Sequence, residues 1–233
     1  MAGKFIIAPD LQQLLDNLKG AQFENNIAYM YVDTVGDITV GVGHNLDAHG
    51  DALQLPFIVK RLKRHHVIGG DVGVPISSNP VIGRPATAPE IQNDYDFLNK
   101  NRGLKKYFPQ NLEKYTTLEL LPAKVDQLFK TDLDVAIAVC RKEFGEDFDQ
   151  YPTACQAGLI DIAFNCGNFS SFQPRFVPAI KASGEFAKNT PSERWKIASE
   201  SCQRSTASAT RNALVAKWFM DGAAAAAAAP AAP

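Results

Sequence analysis

The chain has 233 residues, of which 45% are hydrophobic, and its formal net charge is −1 at pH 7. This length and hydrophobic content suffice for a sizeable buried core in one domain or two lobes. The near-neutral charge argues against general nucleic-acid binding, and no apolar run is long enough to span a membrane. The N-terminal apolar stretch is also too short for a secretory signal, so we expect a protein made without a leader.

The first predicted elements are a helix followed by a β-hairpin. Residues 9–26 carry apolar side chains at helical spacing and end near Glu24. Residues 28–43 predict two strands and a short third, with Val35-Gly36-Asp37 as the tight turn. This layout brings three polar residues close together without help from the rest of the chain, namely Glu24, Asp33 and Thr39.

These residue types suit cleavage of a glycosidic bond. That reaction needs one protonated carboxyl group to donate a proton to the leaving oxygen and one ionised carboxylate to activate water. Glu24 and Asp33 can divide these roles if their surroundings differ, and the Thr39 hydroxyl can orient the water. Gly41 and Gly43 place no side chain on the strand that follows, so a bulky sugar can approach it.

The pattern Glu, Asp nine residues later, Thr six later, then Gly-x-Gly-His resembles that of the phage-type lysozymes, glycoside hydrolase family 24. Glu24, Asp33, Thr39, Gly41-x-Gly43 and His44 match it in identity and spacing. The resemblance implies an α+β, mainly α, two-lobed lysozyme-like fold with a small antiparallel hairpin lobe and a helical lobe. It covers about 20–44 and 117–222, and leaves residues 45–115 as an insertion relative to compact relatives.

The insertion predicts a helix over residues 51–66, an extended loop over 69–88 and a second helix over 89–102. Residues 60–66 are basic, which is typical of a solvated helix face but would also suit anionic groups on cell-wall polymers. The insertion could equally serve as a substrate platform or a docking surface, and the sequence leaves these alternatives open.

The C-terminal half is predicted to be helical over 118–144, 151–166, 172–183, 192–202 and 208–220. Residues 151–166 are apolar on nearly all sides, which indicates a central buried helix. By resemblance, Asp132 pairs with His44, although a surface aspartate is an equal alternative. Asn165 either hydrogen-bonds sugar or caps its helix. By the same resemblance, Arg211 is the expected partner of Glu24. This chain has one arginine after Thr210, where many members of that family have two.

The four cysteines, Cys140, Cys155, Cys166 and Cys202, form no CxxC pair and no zinc-type spacing with histidine. The pattern favours buried thiols over disulfides, of which three connectivities would be possible. We assign residues 1–222 to the lysozyme-like domain. Residues 223–233 contain only alanine and proline, which predicts a linker or tail.

The resemblance implies a monomeric muramidase that cleaves the β-1,4 bond between N-acetylmuramic acid and N-acetylglucosamine in peptidoglycan, with inversion and without metal or cofactor. Two rival hypotheses are a lytic transglycosylase and a non-catalytic wall-binding module. The enzyme would be made in the cytoplasm and act in the periplasm or cell wall, as a phage endolysin or as an injected antibacterial effector. The insertion and the charge slightly favour the effector, which would require a cognate inhibitor in the producing cell.

Overall fold

A computed structural model describes residues 9–20, 26–61, 81–205 and 207–228. Within these ranges the protein is mainly helical, with a small antiparallel sheet, as predicted. The helices are α1 (Pro9–Asp16), α2 (Leu46–His49), α3 (Ala88–Lys100), α4 (Pro122–Phe144), α5 (Thr153–Cys166), α6 (Phe176–Ile180), α7 (Pro191–Ser201) and α8 (Ala209–Ala228). The strands are β1 (Ile27–Val32), β2 (Ile38–Gly41), β3 (His44–Asn45), β4 (Ile58–Val59) and β5 (Leu118–Glu119).

The chain divides into two compact units. We call residues 25–131 the sheet unit, and residues 1–24 together with 132–233 the helical unit. The sheet unit holds all five strands named above, together with α2 and α3. The boundary falls within α4, so most of that helix belongs to the helical unit.

The sheet unit is built on a three-stranded antiparallel sheet in the order β1-β2-β3. Tyr31 lies opposite Thr39 in this sheet, and Thr39 lies opposite Asn45. Because side chains alternate between the faces of a strand, these three residues share one face. The other face near the turn carries Val32, Ile38 and Val40, which are fully buried. The predicted hairpin with a short third strand is therefore confirmed.

The beginning of the insertion differs from its prediction. Residues 51–61 do not form a helix: a 3-10 turn at Ala52–Gln54 is followed by β4, which pairs with β5. Pro56 lacks a backbone N–H, and the segment after it is rich in residues that favour strands, so the helix does not form. Residues 62–66 of that prediction lie outside the described ranges.

Two cations of the predicted basic run have partners in the fold. Lys60 Nζ lies 2.8 Å from Glu113 Oε1 and 2.9 Å from Glu119 Oε2, and Arg61 Nη2 lies 2.9 Å from the same Glu113 oxygen. Lys60 also lies over the ring of Tyr29, 5.5 Å from its centroid. These contacts join β4 to the segment before β5, so Lys60 and Arg61 have a structural role.

The second helix of the insertion, predicted over 89–102, is α3. It begins with a capping box in which the Thr87 side chain and the Glu90 carboxylate each bond the backbone of the other. Glu90 is buried and also forms an ion pair with Arg84. The hydrogen bonds from Arg84 outweigh the effect of burial and lower the pKa of Glu90 to about 2.

The helical unit is organised around α5. Nine consecutive residues of this helix, Cys155 to Ala163, are buried, which confirms the predicted central helix. Gly167 adopts a left-handed conformation at its end and donates its N–H to Ala163 O, 2.8 Å away. Aromatic side chains pack edge-to-face or stacked around Phe169, Phe176 and Phe219. This aromatic cluster fills the space between the helices of the unit.

Several helix ends differ from the sequence predictions. The first helix, predicted to reach residue 26, ends at Asp16 and is followed by a 3-10 turn, and Gly20 after it is extended. The predicted helix over 118–144 begins only at Pro122, because Leu118–Glu119 pairs with β4. The predicted helix over 172–183 is shorter, forming only Phe176–Ile180.

The last helix is longer than predicted. The prediction ended it at Gly222 and assigned residues 223–233 to a linker, whereas α8 continues to Ala228. Alanine has the highest intrinsic helix propensity, so the polyalanine run extends the helix once tertiary packing has formed it. Gly222 and Ala223 are both buried, and therefore belong to the packed part of the helical unit.

All four cysteines are free thiols. Cys140, Cys155 and Cys202 are buried, as predicted, whereas Cys166 is half-buried. Burial raises the pKa of the Cys140 and Cys155 thiols well above their ordinary range, and raises that of Cys202 to about 11. These three side chains therefore act as small apolar groups in the core.

The Glu90 ion pair predicts a pH-dependent stability. Because the folded pKa of Glu90 is lowered from 4.5 to about 2, its contribution is fully present above pH 5 and is lost as the pH falls toward 2. At pH 7 we expect Glu90→Gln to reduce the free energy of unfolding by about 3 kcal/mol. Urea unfolding of the variant and wild type between pH 2.5 and 7 checks this, and the two curves should converge at the acidic end.

The partner variant Arg84→Gln serves as the control for that experiment. It should remove much of the same pH dependence, and the double variant should cost less than the sum of the single ones, because the residues interact directly. A Glu90→Gln curve parallel to that of the wild type over the whole pH range would contradict the assignment.

Gly222 predicts a second effect on stability. A Cβ atom at this position would lie 2.0 Å from Cys155 Sγ, so Gly222→Ala forces α8 and α5 apart. Alanine normally favours a helix over glycine by up to about 1 kcal/mol, but overpacking a core costs about 1–3 kcal/mol. We therefore expect a net loss in the free energy of unfolding, measured by urea unfolding.

Gly103→Ala is the matched control, because a Cβ there would meet nothing within 4 Å. It should leave the free energy of unfolding within about 0.5 kcal/mol of wild type. Adding Cys155→Ala to Gly222→Ala should restore part of the loss, since it removes the sulfur atom that the new methyl group meets. A stabilised Gly222→Ala protein would contradict the close packing of these helices.

Candidate active site

The hairpin of the sheet unit separates the predicted site residues onto two faces. Asp33 and Thr39 lie on the face that carries Tyr31 and Asn45, since Asp33 continues the alternation of β1 past Tyr31. His44 lies opposite Val40, on the other face. The six-residue spacing from Asp33 to Thr39 thus brings a carboxylate and a hydroxyl to one side of the sheet.

Asp33 closes the tight turn of the hairpin. Its Oδ1 atom accepts hydrogen bonds from the backbone N–H groups of Val35, Gly36 and Asp37, at 3.0, 2.8 and 2.9 Å. The backbone N–H of Asp33 in turn donates to Asp37 O, 2.9 Å away. No described residue donates to Oδ2, so that oxygen of the carboxylate is available to a water molecule or a ligand.

Thr39 is 2% exposed, and its hydroxyl lies 3.5 Å from Asp37 O. That distance is long for an O–H···O hydrogen bond, so the hydroxyl is weakly engaged by the backbone. Asn45 lies opposite Thr39 on β3, and its Nδ2 donates to Asp37 Oδ2 at 2.9 Å. The predicted acid, Glu24, lies outside the described residues, so its position relative to Asp33 and Thr39 stays a prediction.

His44 is buried and has a partner that the sequence did not indicate. Its Nε2 lies 3.1 Å from Asp51 Oδ2, and its ring stacks on that of His49 with centroids 4.4 Å apart. Asp51 lies two residues after the end of α2, and was predicted only as the start of a helix. Asp132 lies on α4, in the helical unit, so the predicted pairing of Asp132 with His44 stays a prediction.

Gly41 and Gly43 flank the turn between β2 and β3. Both have positive φ angles, 69° and 74°, and a Cβ atom on Gly41 would lie 3.3 Å from Val125 Cγ1. Backbone conformation and packing therefore require glycine at Gly41, independently of any sugar. The predicted role in admitting substrate is not needed to explain this residue.

Asn165 lies inside α5 and is half-buried. The residue with the left-handed conformation at the helix end is Gly167, so C-capping by Asn165, one of the two alternatives, is wrong. Its Oδ1 lies 3.8 Å from the Cys166 sulfur. The alternative role, a hydrogen bond to sugar, stays a prediction.

Arg211 belongs to a buried charge cluster in the helical unit. Its Nε and Nη2 atoms donate to Asp161 Oδ1 at 3.0 and 2.7 Å, and Arg204 Nη1 lies 2.6 Å from Asp161 Oδ2. Asp161 is fully buried. The prediction paired Arg211 with Glu24, which lies outside the described residues, and it missed both Asp161 and Arg204. Two arginines thus share the carboxylate of Asp161.

A second group of residues that the sequence did not indicate surrounds the hairpin turn from outside. Arg102 Nη1 donates to Gly36 O at 2.6 Å and to Asp47 Oδ2 at 2.7 Å, and the Tyr95 hydroxyl donates to Asp47 Oδ1. Burial favours the protonated form of Asp47, but the bonds from Arg102 and Tyr95 outweigh it and lower its pKa. The hydrogen bond from Tyr95 to Asp47 raises the pKa of Tyr95 to about 12. Asp47 is thus a carboxylate held ionised by hydrogen bonds from Arg102, Tyr95 and the backbone N–H of Ile38.

No protein-family model matches the chain, and no curated protein matches it. Among the helices of the described ranges, none combines the length and apolar character needed to cross a membrane.

The buried Asp161 cluster predicts a large effect on stability. Asp161→Asn removes the charge that offsets Arg204 and Arg211, and breaking a buried pair in this way costs about 3–5 kcal/mol. Urea unfolding at pH 7 measures the change in the free energy of unfolding. Asp221→Asn, which breaks the exposed pair with Lys217, is the control and should cost less than about 0.5 kcal/mol. Equal effects of the two variants would contradict the buried cluster.

Proposed function

We propose that the protein is a peptidoglycan muramidase with a lysozyme-like fold, which hydrolyses the β-1,4 bond between N-acetylmuramic acid and N-acetylglucosamine. The observation that carries the proposal is the placement of Asp33 and Thr39 on one face of a hairpin, with one oxygen of Asp33 fixed by three backbone amides. This arrangement occurs in a sequence pattern that begins with Glu24 and resembles that of the phage-type lysozymes.

In this mechanism Glu24 is the general acid and protonates the glycosidic oxygen as the bond breaks. Asp33 is the general base: the three amides hold Oδ1, and Oδ2 accepts a proton from the attacking water. The Thr39 hydroxyl, only weakly bonded to Asp37 O, hydrogen-bonds that water and directs it toward the anomeric carbon. Attack on the face opposite the leaving group inverts the configuration, which requires carboxyl groups about 6.5–9.5 Å apart.

Arg211 would set the electrostatic state of the acid. A cation beside Glu24 favours the ionised carboxylate, whereas burial favours the protonated form that an acid needs. The bonds from Arg211 to Asp161 direct much of its charge to a permanent buried partner. In this proposal Asp161 competes with Glu24 for Arg211, which favours the protonated form that a general acid requires.

The biological setting follows from the proposed substrate. An enzyme with this activity acts in the periplasm or cell wall, as a monomer on glycan strands, after holin-dependent release or injection. An injected effector would also bind a cognate inhibitor in the producing cell, because it could degrade the wall of that cell.

The first test is turnover of purified peptidoglycan with the products identified by mass. The wild type should release muropeptides with reducing N-acetylmuramic acid ends, and Glu24→Gln and Asp33→Asn should each lower kcat by about 10²- to 10⁴-fold. Asp33→Asn is informative because asparagine keeps an Oδ1 acceptor for the three amides and loses only the basic oxygen. Asp96→Asn, an exposed carboxylate on α3, is the matched control and should stay within twofold of wild type.

Two outcomes of this experiment would overturn the proposal. Products with 1,6-anhydro ends would identify a lytic transglycosylase, and no release by the wild type would favour a wall-binding module.

Thr39→Ser and Thr39→Val separate the effect of the hydroxyl from that of the shape of the side chain, and only the valine variant should lose activity. Proton NMR of the first products reports the anomeric configuration. Retention of configuration would contradict the role of Asp33 as the general base of an inverting reaction.

A further inference from the structure

The tight turn that carries Asp33 is held from two sides. From inside, the Asp33 carboxylate accepts the N–H groups of residues 35–37. From outside, Arg102 donates to the carbonyl oxygen of Gly36, the central residue of the same turn. The position of the Asp33 carboxylate therefore depends on a turn whose other side is fixed by a residue 66 positions away in sequence.

Arg102 is itself fixed by the residues around it. Asp47 Oδ2 accepts from Arg102 Nη1 and, at 3.0 Å, from the backbone N–H of Ile38 at the start of β2. The Tyr95 hydroxyl occupies the second oxygen of Asp47. Arg102 Nε donates to Asn99 Oδ1 at 2.9 Å. We call Asp47, Tyr95 and Arg102 the turn clamp.

The charges near the turn favour a guanidinium group at this position. Asp37 Oδ1 lies 3.8 Å from Arg102 Nη1, so Arg102 lies close to the carboxylates of both Asp37 and Asp47. Asp33 adds a third carboxylate to the same turn. The Lys105 side chain also lies near Gly36, since a Cβ built on Gly36 would be 3.6 Å from Lys105 Cδ. Removing Arg102 would leave these carboxylates repelling one another around the turn.

The clamp belongs to residues 45–115, the segment that the sequence resemblance marks as an insertion. Tyr95 is on α3 and Arg102 is in the 3-10 turn that follows it, both within residues 45–115. The geometry points to Arg102 as a positioning residue for Asp33, through its contact with Gly36, with Asp47 and Tyr95 holding Arg102 in place. This inference rests on the proposed function and gives the inserted segment a role in the same reaction.

The test combines kinetics with amide hydrogen exchange on the full chain. Arg102→Gln should lower kcat on peptidoglycan by roughly ten- to a hundredfold, because a small displacement of a catalytic group has effects of that size. KM should stay within about threefold, because the proposed role of Arg102 is to hold the turn and not to bind the glycan. Amide exchange of residues 35–37 should become roughly tenfold faster in the same variant.

Matched variants separate positioning from general stability. Arg102→Lys keeps the charge but replaces the planar fork with a single ammonium, so it should recover only part of kcat. Tyr95→Phe removes one hydroxyl and should cause a smaller loss of the same kind. Arg175→Gln breaks an exposed arginine pair with Glu200 and should change neither kcat nor exchange at the turn. If Arg102→Gln does not fold, kcat and amide exchange of Arg102→Lys and Tyr95→Phe test the positioning role instead.

The outcomes distinguish this inference from the proposed function. An Arg102→Gln enzyme with wild-type kcat, in a preparation where Asp33→Asn is inactive, would overturn the positioning role alone. Unchanged exchange of residues 35–37 would overturn the mechanical link between Arg102 and the turn. A wild-type chain without activity would overturn the proposed function and with it the catalytic part of the inference.

Discussion

The three hydrogen bonds from backbone amides to Asp33 Oδ1 are the interaction on which the candidate site depends. They satisfy N–H groups of the turn, and they orient the carboxylate at the same time. A residue that closes a turn this tightly cannot rotate freely toward solvent. The same three hydrogen bonds therefore stabilise the hairpin and orient the proposed base.

The residues of the sequence motif lie on two different faces of the sheet. Asp33 and Thr39 share the face proposed to meet the glycan, whereas His44 lies on the opposite face, bonded to Asp51 and stacked on His49. The strand register produces this division, because Thr39 pairs with Asn45 and the adjacent His44 therefore lies on the opposite face. The histidine therefore supports the sheet from behind, and its contacts with Asp51 and His49 lie within the same unit.

The parts of the fold that could be predicted from sequence are those set by local patterns. The hairpin, α3, α5 and α7 follow from side-chain periodicity and from turn and capping residues. The partners of buried charges could not be predicted, because Arg102 and Gly36 are 66 positions apart and Arg211 and Asp161 are 50 apart. No local rule indicates such pairs. The helix predicted from residue 51 failed because pairing of β4 with β5 outweighed a weak helical pattern.

The register of the hairpin has a consequence for how the length of this protein can vary. One residue inserted or deleted between Asp33 and Thr39 would move Thr39 to the opposite face and bring an apolar neighbour into its place. The loop between those residues must therefore keep its length, even though it lies at the surface, where loops usually tolerate insertions. We therefore expect homologous chains to agree residue for residue in length across this turn.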